Sequence, residues 1–328
     1  MINKFTKNWI SVSEFHQKFI ASCLLLVVFI SPVFAQTDLS DVEIKSYHVQ
    51  GNIWLLQGAG GNVTVQIGDD GVLVVDTQFA ETAPKIVDEI KRLAPGKIIR
   101  YVLNTHAHSD HTGGNKIVRE AGRALVSANG GNELAQSFGT GAEVLAHENA
   151  MLTMATSDPE VPFELWPSEV FIGDQYDFVF NKEAVLLFYN GRAHTNGDLV
   201  IFFRKSDVIS AGDVYSTLGY PFIDESNYGH INGIIDALNA IIRIAVPVQN
   251  QEGGTMIISG HGRIADEADV VEYRDMITII RDRVQYLIDQ GMGLDEILEI
   301  RPSRDYDSRY GGNSSAAFIT AIYNGLSE

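Results

Sequence analysis

Three histidines and one aspartate fall within six consecutive positions of the chain, where residues 106–111 read HAHSDH. Imidazole nitrogens and carboxylate oxygens are ligands that zinc accepts in proteins, at distances of about 2 Å. At neutral pH an unpaired imidazole is mostly uncharged, so its nitrogen lone pair is available to a metal. The density of these side chains predicts that His106, His108, Asp110 and His111 form a metal site rather than a surface loop with incidental histidines.

Three further candidate ligands follow later in the chain, namely His194, Asp213 and His261. Asp213 comes directly after an apolar run that ends at Ala211-Gly212, and His261 lies between two glycines. Small neighbours let the backbone approach closely and leave room for a substrate. All these segments follow predicted strands, and ligands gather at strand ends in α/β folds, so we expect the seven side chains to meet.

The elements that must position these residues begin with short apolar strands. Asp69-Asp70-Gly71 predicts a hairpin turn between two of them, and Pro95-Gly96 ends the helix that follows. Residues 130–168 read as mostly helix and loop. In this first half the predicted strands are 53–57, 63–67, 72–76, 98–103 and 124–127, and the predicted helices are 81–93 and one that begins near residue 114.

The second half of the chain repeats this arrangement. Apolar residues recur at three- and four-residue steps over 266–290, which predicts a long amphipathic helix with Gly291 as its C-cap. Further strands are predicted around residue 171 and at 177–180, 184–189, 199–203, 207–210 and 255–259, with another helix at 231–244. The pattern predicts one domain built from two similar halves, each a sheet with helices outside it.

The order HxHxDH, then His194, Asp213 and His261, resembles the metallo-β-lactamase superfamily. The likeness extends from residues 60–62 to the helix after His261. It implies an α/β protein with the αββα four-layer sandwich fold and two metal ions in a cleft between the sheet edges. It also implies ligand roles: His106, His108 and His194 for the first ion, Asp110, His111 and His261 for the second, and Asp213 as the bridge. Asp76 would either support these ligands or have a structural role.

The same resemblance implies an enzyme, a zinc-dependent hydrolase. Two metals about 3.5–4 Å apart share a water and lower its pKa toward about 7, and the bridging hydroxide attacks a carbonyl. Asp110 is then the catalytic residue that accepts or returns the proton. We expect two zinc ions, although iron or manganese suits the same donors. The expected substrate is a small molecule that contains an ester, thioester, lactone or amide.

Details of the motif separate related classes. His108 stands where the flavodiiron pattern has Glu, which disfavours the oxygen-reducing members. Asp213 resembles the bridging Asp of glyoxalase II-like thioesterases and lactonases, whereas β-lactamases with a histidine at the place of His111 usually lack it. β-Lactam hydrolysis stays open as an alternative. So does a non-catalytic, metal-binding accessory protein of a periplasmic redox system, for which a damaged ligand set would be expected.

Residues 1–35 are predicted to be a signal peptide, and residues 36–328 the hydrolase domain. Lysines at 4, 7 and 18 precede a mostly apolar run over 19–30, and Pro32 breaks that run before Val33-Phe34-Ala35. This pattern predicts secretion with cleavage after Ala35, hence a periplasmic or secreted protein without stable membrane insertion. An uncleaved anchor is the alternative interpretation.

Charge and cysteine content exclude other classes. The chain has a formal charge of −18, and removal of the leader, with its three lysines and one glutamate, takes it to −20. Such an acidic chain repels phosphate backbones, so we expect no nucleic-acid partner. The single cysteine, Cys23, lies in the leader, so thiolate-ligated lactamases are excluded. The sequence does not set the oligomeric state.

The remaining histidines and two arginines have weaker signals. His147 is interpreted as a structural or supporting residue in a helical stretch, and His48 as a surface residue. His230 precedes a helix, and it either caps this helix or faces the cleft. Arg192 and Arg263 flank candidate ligands, where they either recognise an anionic group or, as we favour, pair with surface carboxylates.

Overall fold

The computed structural model of the chain describes residues 39, 41–125, 141–311 and 314–327. The predicted leader, with Cys23, lies outside these residues. The first half forms a seven-stranded sheet in the order β1 to β7, antiparallel from β1 to β4 and parallel from β4 to β7. Its strands are β1 (Lys45–Gln50), β2 (Ile53–Gln57), β3 (Val63–Ile67), β4 (Val72–Val75), β5 (Ile99–Leu103), β6 (Glu143–His147) and β7 (Glu169–Phe171).

One strand of this sheet differs from the prediction. Ala124 and Leu125 have no regular structure, and the rest of the predicted strand 124–127 lies outside the described residues. The next parallel strand is instead β6, within the stretch predicted as mostly helix and loop, so His147 ends a strand rather than lying in a helix. Short apolar runs of this kind cannot be assigned to strand or helix by periodicity alone.

The second half forms a six-stranded sheet in the order β13-β12-β11-β10-β9-β8. All neighbours in it are antiparallel except β11 and β12, which run parallel. Its strands are β8 (Gln175–Phe180), β9 (Glu183–Tyr189), β10 (Leu199–Phe203), β11 (Val208–Ser210), β12 (Met256–Ile258) and β13 (Ile264–Ala265).

Helices flank both sheets. The described helices are α1 (Ala83–Leu93), α2 (Ser109–Thr112), α3 (Asn115–Glu120), α4 (Glu148–Thr156), α5 (Ile231–Ile244), α6 (Glu267–Asp289), α7 (Leu294–Ile300) and α8 (Ser315–Leu326). Helix α6 begins with a capping box between Asp266 and Asp269, and Gly291, at φ +79°, follows its end. None of the helices in the described part of the chain is long and apolar enough to cross a membrane.

Three apolar clusters define four layers. Leu103 and Phe203 belong to the cluster between the two sheets. On the outer face of the first sheet, Ile86 of α1 and Val118 of α3 pack against strand residues such as Val74. On the outer face of the second sheet, helices α5, α6 and α8 cover β10 to β12. The predicted αββα sandwich is therefore confirmed.

Candidate metal centre

The seven predicted ligands come together where loops from the two sheets meet. Residues 106–111 follow β5, and Ser109 begins the single-turn helix α2, which turns Asp110 and His111 back toward the cluster. His194 lies in the connection from β9 to β10, Asp213 follows β11, and His261 follows β12. The expected convergence of strand-end side chains is confirmed.

Three imidazoles form the first group, those of His106, His108 and His194. The Nδ1 atom of His108 lies 3.2 Å from His106 Nε2 and 3.0 Å from His194 Nε2. Asp213 Oδ2 lies 3.7 Å from His194 Nε2 and 4.0 Å from His106 Nε2. One nitrogen of each ring therefore faces a common point beside a carboxylate.

The second group contains Asp110, His111 and His261. The Nε2 atoms of the two histidines are 3.3 Å apart, and Asp110 Oδ2 lies 3.3 Å from His261 Nε2. Asp213 Oδ1 is 3.2 Å from His111 Nε2, while its Oδ2 is 3.2 Å from His261 Nε2. Asp213 thus borders both groups, which is the position that the resemblance implies for a bridging ligand.

Hydrogen bonds behind two of the rings orient them through Asp76 and Thr105. His111 Nδ1 lies 2.8 Å from Asp76 Oδ2 and so donates its proton to that carboxylate. The Thr105 hydroxyl donates to the same oxygen at 2.7 Å, which leaves its lone pair to accept from His106 Nδ1 at 3.0 Å. The neutral form of each ring then has its proton on Nδ1 and directs Nε2 toward the cluster, the arrangement that outer partners of metal-binding histidines usually enforce.

The rings of His108 and His194 are oriented by the loop after β11. His108 Nε2 donates to Asp224 Oδ2 at 2.7 Å, so its Nδ1 faces the cluster. His194 Nδ1 donates to the Phe222 carbonyl at 2.8 Å. The Asp224 carboxylate also accepts from Ser226 Oγ and from the Asn227 side chain. Asp224 was not among the predicted site residues, because a contact across more than a hundred residues has no local spacing signal.

The chemistry of these residues fits divalent cations. Asp213 Oδ1 is buried and makes no hydrogen bond of acceptable geometry, even though His111 Nε2 approaches it. A buried carboxylate oxygen without a hydrogen-bond partner is costly unless a cation or proton compensates it. Imidazole nitrogens and carboxylates without any thiolate form a donor set that zinc accepts, and iron or manganese uses related sets.

Protonation in the metal-free chain follows from burial and from the carboxylates. Burial holds the pKa of His106 well below its usual value, and the neighbouring imidazoles act in the same direction. Burial also disfavours charge on His111 and His261, but the adjacent carboxylates outweigh it. They raise the pKa of His111 well above its usual range and that of His261 to about 9. A bound cation must therefore displace protons from these two rings.

Two other predicted histidines have structural roles in the described residues. His147 Nδ1 accepts from the Asn149 amide at the start of α4, and its ring stacks on Tyr189 with centroids 3.8 Å apart. His230 Nδ1 accepts from the Asn232 amide, and its Nε2 donates to the Gly325 carbonyl at 2.9 Å. His230 therefore caps α5 and does not face the cleft.

Two surface predictions are also confirmed. His48 is exposed, and its Nε2 lies 3.0 Å from the Gly51 carbonyl. Arg263 makes two hydrogen bonds to the Asp269 carboxylate, at 2.7 and 2.6 Å, so it pairs with a carboxylate as expected.

The chain belongs to the metallo-β-lactamase superfamily, because residues 50–249 match the superfamily's model. It is 37% identical over 78 residues to the alkyl/aryl-sulfatase BDS1 of Saccharomyces cerevisiae, an alignment that covers 23% of this chain and 12% of the relative. It is 24% identical over 143 residues to the hydroxyacylglutathione hydrolase of Pelagibacter ubique, covering 44% and 47% of the two chains. The metallo-β-lactamase type 2 of Elizabethkingia meningoseptica is 21% identical over 218 residues, covering 66% and 75%.

A solved structure shows the same fold. The sec-alkylsulfatase Pisa1 from Pseudomonas sp. superposes with a TM-score of 0.59 at 16% identity, covering 86% of this chain and 50% of that protein. The chain thus spans about half of the sulfatase structure and less than half of the first two relatives. At this identity the likeness concerns the fold alone.

Proposed function

We propose that the chain is a dinuclear zinc hydrolase that cleaves a small ester, thioester, lactone or amide. The observation that supports this most directly is the position of Asp213, whose carboxylate borders His194 in one group and both His111 and His261 in the other. One carboxylate shared by two clusters of donors is what two neighbouring cations require. Membership of the superfamily supports the same proposal.

The ligand roles follow the two groups. His106, His108 and His194 would hold one cation and Asp110, His111 and His261 the other, with Asp213 between them. When bound, the two ions would activate a water for attack and polarise the carbonyl of the substrate. The outer hydrogen bonds of Asp76 and Asp224 fix the rings before any cation binds, so little reorganisation is needed on binding.

Asp110 is the residue proposed to move the proton. Burial alone would raise its pKa, but the hydrogen bond with His261 and the charge of His111 lower the pKa below its usual value. Asp110 is therefore ionised at neutral pH in the metal-free chain, and the ionised carboxylate is the form that binds a cation or accepts a proton. Its side chain is 24% exposed, whereas that of His111 is fully buried. Asp110 consequently reaches the solvent side of the cluster, where a substrate would enter.

Metal analysis and mutagenesis test the proposal. We expect about two zinc ions per purified chain and hydrolysis of at least one member of an ester, thioester and lactone panel. His106→Ala and Asp213→Ala should each abolish turnover while leaving the far-ultraviolet circular dichroism unchanged. His48→Ala, at an exposed histidine outside the cluster, is the matched control. Wild-type turnover in both site variants would refute the mechanism, and two bound metals without any turnover would favour an accessory protein.

β-Lactam hydrolysis is the second candidate, because the metallo-β-lactamase of Elizabethkingia meningoseptica aligns over 66% of this chain. Nitrocefin and a carbapenem discriminate between the two candidates in the same assay. Turnover of either lactam above that of the esters would replace the first proposal with the second.

Export is proposed from the leader pattern at residues 1–35. Expression of the full chain in a bacterium with a cell envelope, followed by fractionation and N-terminal sequencing, provides the test. We expect mature protein that begins at Gln36 in the periplasmic or secreted fraction. A cytosolic product that retains Met1 would refute export, and a membrane-bound one would identify an uncleaved anchor.

A further inference from the structure

Phe222 is an exposed aromatic residue held beside the first group of histidines. Its neighbours Tyr220, Ile223 and Asp224 are all buried, whereas Phe222 is 66% exposed. Its carbonyl accepts the hydrogen bond from His194 Nδ1, which fixes its backbone. Its ring centroid lies 5.7 Å from that of His194 and 6.2 Å from that of His108. The ring therefore projects into solvent next to the proposed first cation site.

Leu218 lies next to Gly262, the residue that follows His261 of the second group. Its side chain is 73% exposed. A β-carbon built on Gly262 would lie 3.2 Å from Leu218 Cδ2, so this side chain covers the backbone next to His261. The Thr217 amide donates to the His261 carbonyl at 3.1 Å, and this bond holds the segment in place.

Phe79 provides a third apolar side chain, near Asp110. A β-carbon built on Gly60 would lie 3.1 Å from the Phe79 ring and 3.0 Å from Asp110 Cβ. The ring and the proposed proton acceptor therefore stand next to the same glycine, and Phe79 is partly exposed. Phe79, Leu218 and Phe222, which we call the apolar rim, each neighbour a different part of the ligand set.

The charge of the chain favours uncharged substrates. A formal charge of −18 gives a negative long-range potential that slows the approach of anions, and the proposed zinc ions would offset this potential only close to the site. Singly exposed apolar residues are common on protein surfaces, but three of them beside one polar site offer apolar contact to a substrate bound there. An apolar substituent buried against them would stabilise binding by loss of contact with water.

We propose that the apolar rim selects neutral esters or lactones that have an apolar chain or ring next to the cleaved bond. This inference rests on the proposed hydrolase function and specifies its substrate class. The rim residues act as specificity-determining residues, since they contact the substituent and not the reacting atoms.

A chain-length series tests the rim. With the zinc-loaded full chain, kcat/KM should rise about tenfold or more from p-nitrophenyl acetate to the octanoate, a small part of what six fully buried methylene groups would give. In Phe222→Ala this ratio should fall to about threefold or less, and Phe222→Leu should restore it, with the zinc content of each variant measured beside it. Tyr286→Ala on α6, at a similarly exposed aromatic residue (63%), is the matched control and should keep the ratio.

A second measurement does not depend on the reactivity of the ester. 1-Hexanol should inhibit the wild type competitively and more strongly than ethanol, and Phe222→Ala should lose most of this difference. The double variant Phe222→Ala, Leu218→Ser should lose it completely.

The outcomes distinguish substrate selection by the apolar rim from the proposed hydrolase function. A flat chain-length series in an active wild-type enzyme, or a ratio that survives in the double variant, overturns the apolar rim alone. Preference for an alkyl sulfate or an acyl-glutathione over every neutral ester also overturns it. Absence of turnover on all carbonyl substrates overturns the proposed function itself, and the rim with it.

Discussion

Removal of the Asp224 carboxylate should weaken one cation site and spare the other. Asp224 Oδ2 accepts the Nε2 proton of His108 at 2.7 Å, the short distance typical of a charge-assisted hydrogen bond. Without it, His108 can rotate or protonate at Nδ1, which is the atom that faces His106 and His194. We therefore expect Asp224→Ala to lower zinc affinity at the group of His106, His108 and His194.

The size of this loss follows from the contacts. Loss of an outer partner typically costs about 10–100-fold in metal affinity, which corresponds to about 1.4–2.7 kcal/mol. The His108 side chain is 24% exposed, so water can replace part of the lost bond. We therefore expect a loss of about 10–30-fold. Asp224→Asn should lose less zinc affinity, because its side-chain carbonyl oxygen can still accept the proton of His108. Its NH2 group then faces the backbone amide of Asn227, which is also a donor.

Competition with a chromogenic zinc chelator measures the two stepwise affinities. The weaker step in Asp224→Ala should belong to the first group, and affinity at the group of His111 and His261 should stay within about threefold of wild type. Asp282→Ala, at an exposed aspartate on α6, controls for the general loss of a negative charge. Unchanged affinity at both sites would refute the role given to Asp224. An equal loss at both would show that Asp224 acts by folding its loop and not through His108.

Two further predictions concern the second group. A β-carbon on Gly260 would lie 2.0 Å from Asp213 Oδ1, so Gly260→Ala should displace that carboxylate and reduce bound zinc and turnover at least about tenfold. Gly293→Ala is the control, because the nearest contact of a β-carbon there is 3.9 Å away. Equal zinc content in both variants would contradict the packing argument. Zinc affinity should rise with pH from 6 to about 9, because the pKa of His261 in the metal-free chain is raised to about 9 and that of His111 is also raised, so each ring must release a proton first. Chelator competition across this range measures the slope, and a flat profile would contradict proton displacement.

Local patterns predicted most elements of the fold, because the residues that start and end these elements are adjacent to them in the sequence. Helix α5 has the predicted limits, and α6 begins and ends within one residue of the prediction, since Asp266 caps its start and Gly291 follows its end. Strand β6 was missed because its five residues contain helix formers and an apolar run too short to show a period. Its strand character is set by parallel pairing with β5 and β7, which the sequence does not display.

The site was predictable to the extent that its donors occur in short motifs. The run 106–111 brings four donors together within a few residues, so the chemistry is visible before the fold is known. The orientation of the rings was not predictable in the same way. Asp224, the Phe222 carbonyl and Thr105 decide which nitrogen of His108, His194 and His106 faces inward, and none of these partners belongs to a ligand motif.

The candidate ligands come from both halves of the molecule. Residues 106–111 extend from the first sheet, whereas His194, Asp213 and His261 extend from the second. Backbone hydrogen bonds already connect the sheets beside the cluster, from the Asn62 amide to the Gly260 carbonyl at 2.7 Å and from the Leu199 amide to the Thr105 carbonyl at 2.8 Å. Neither half holds a complete donor group for two cations. The sandwich core therefore sets the spacing between the sheets, and that spacing brings Asp213 within reach of both groups of histidines.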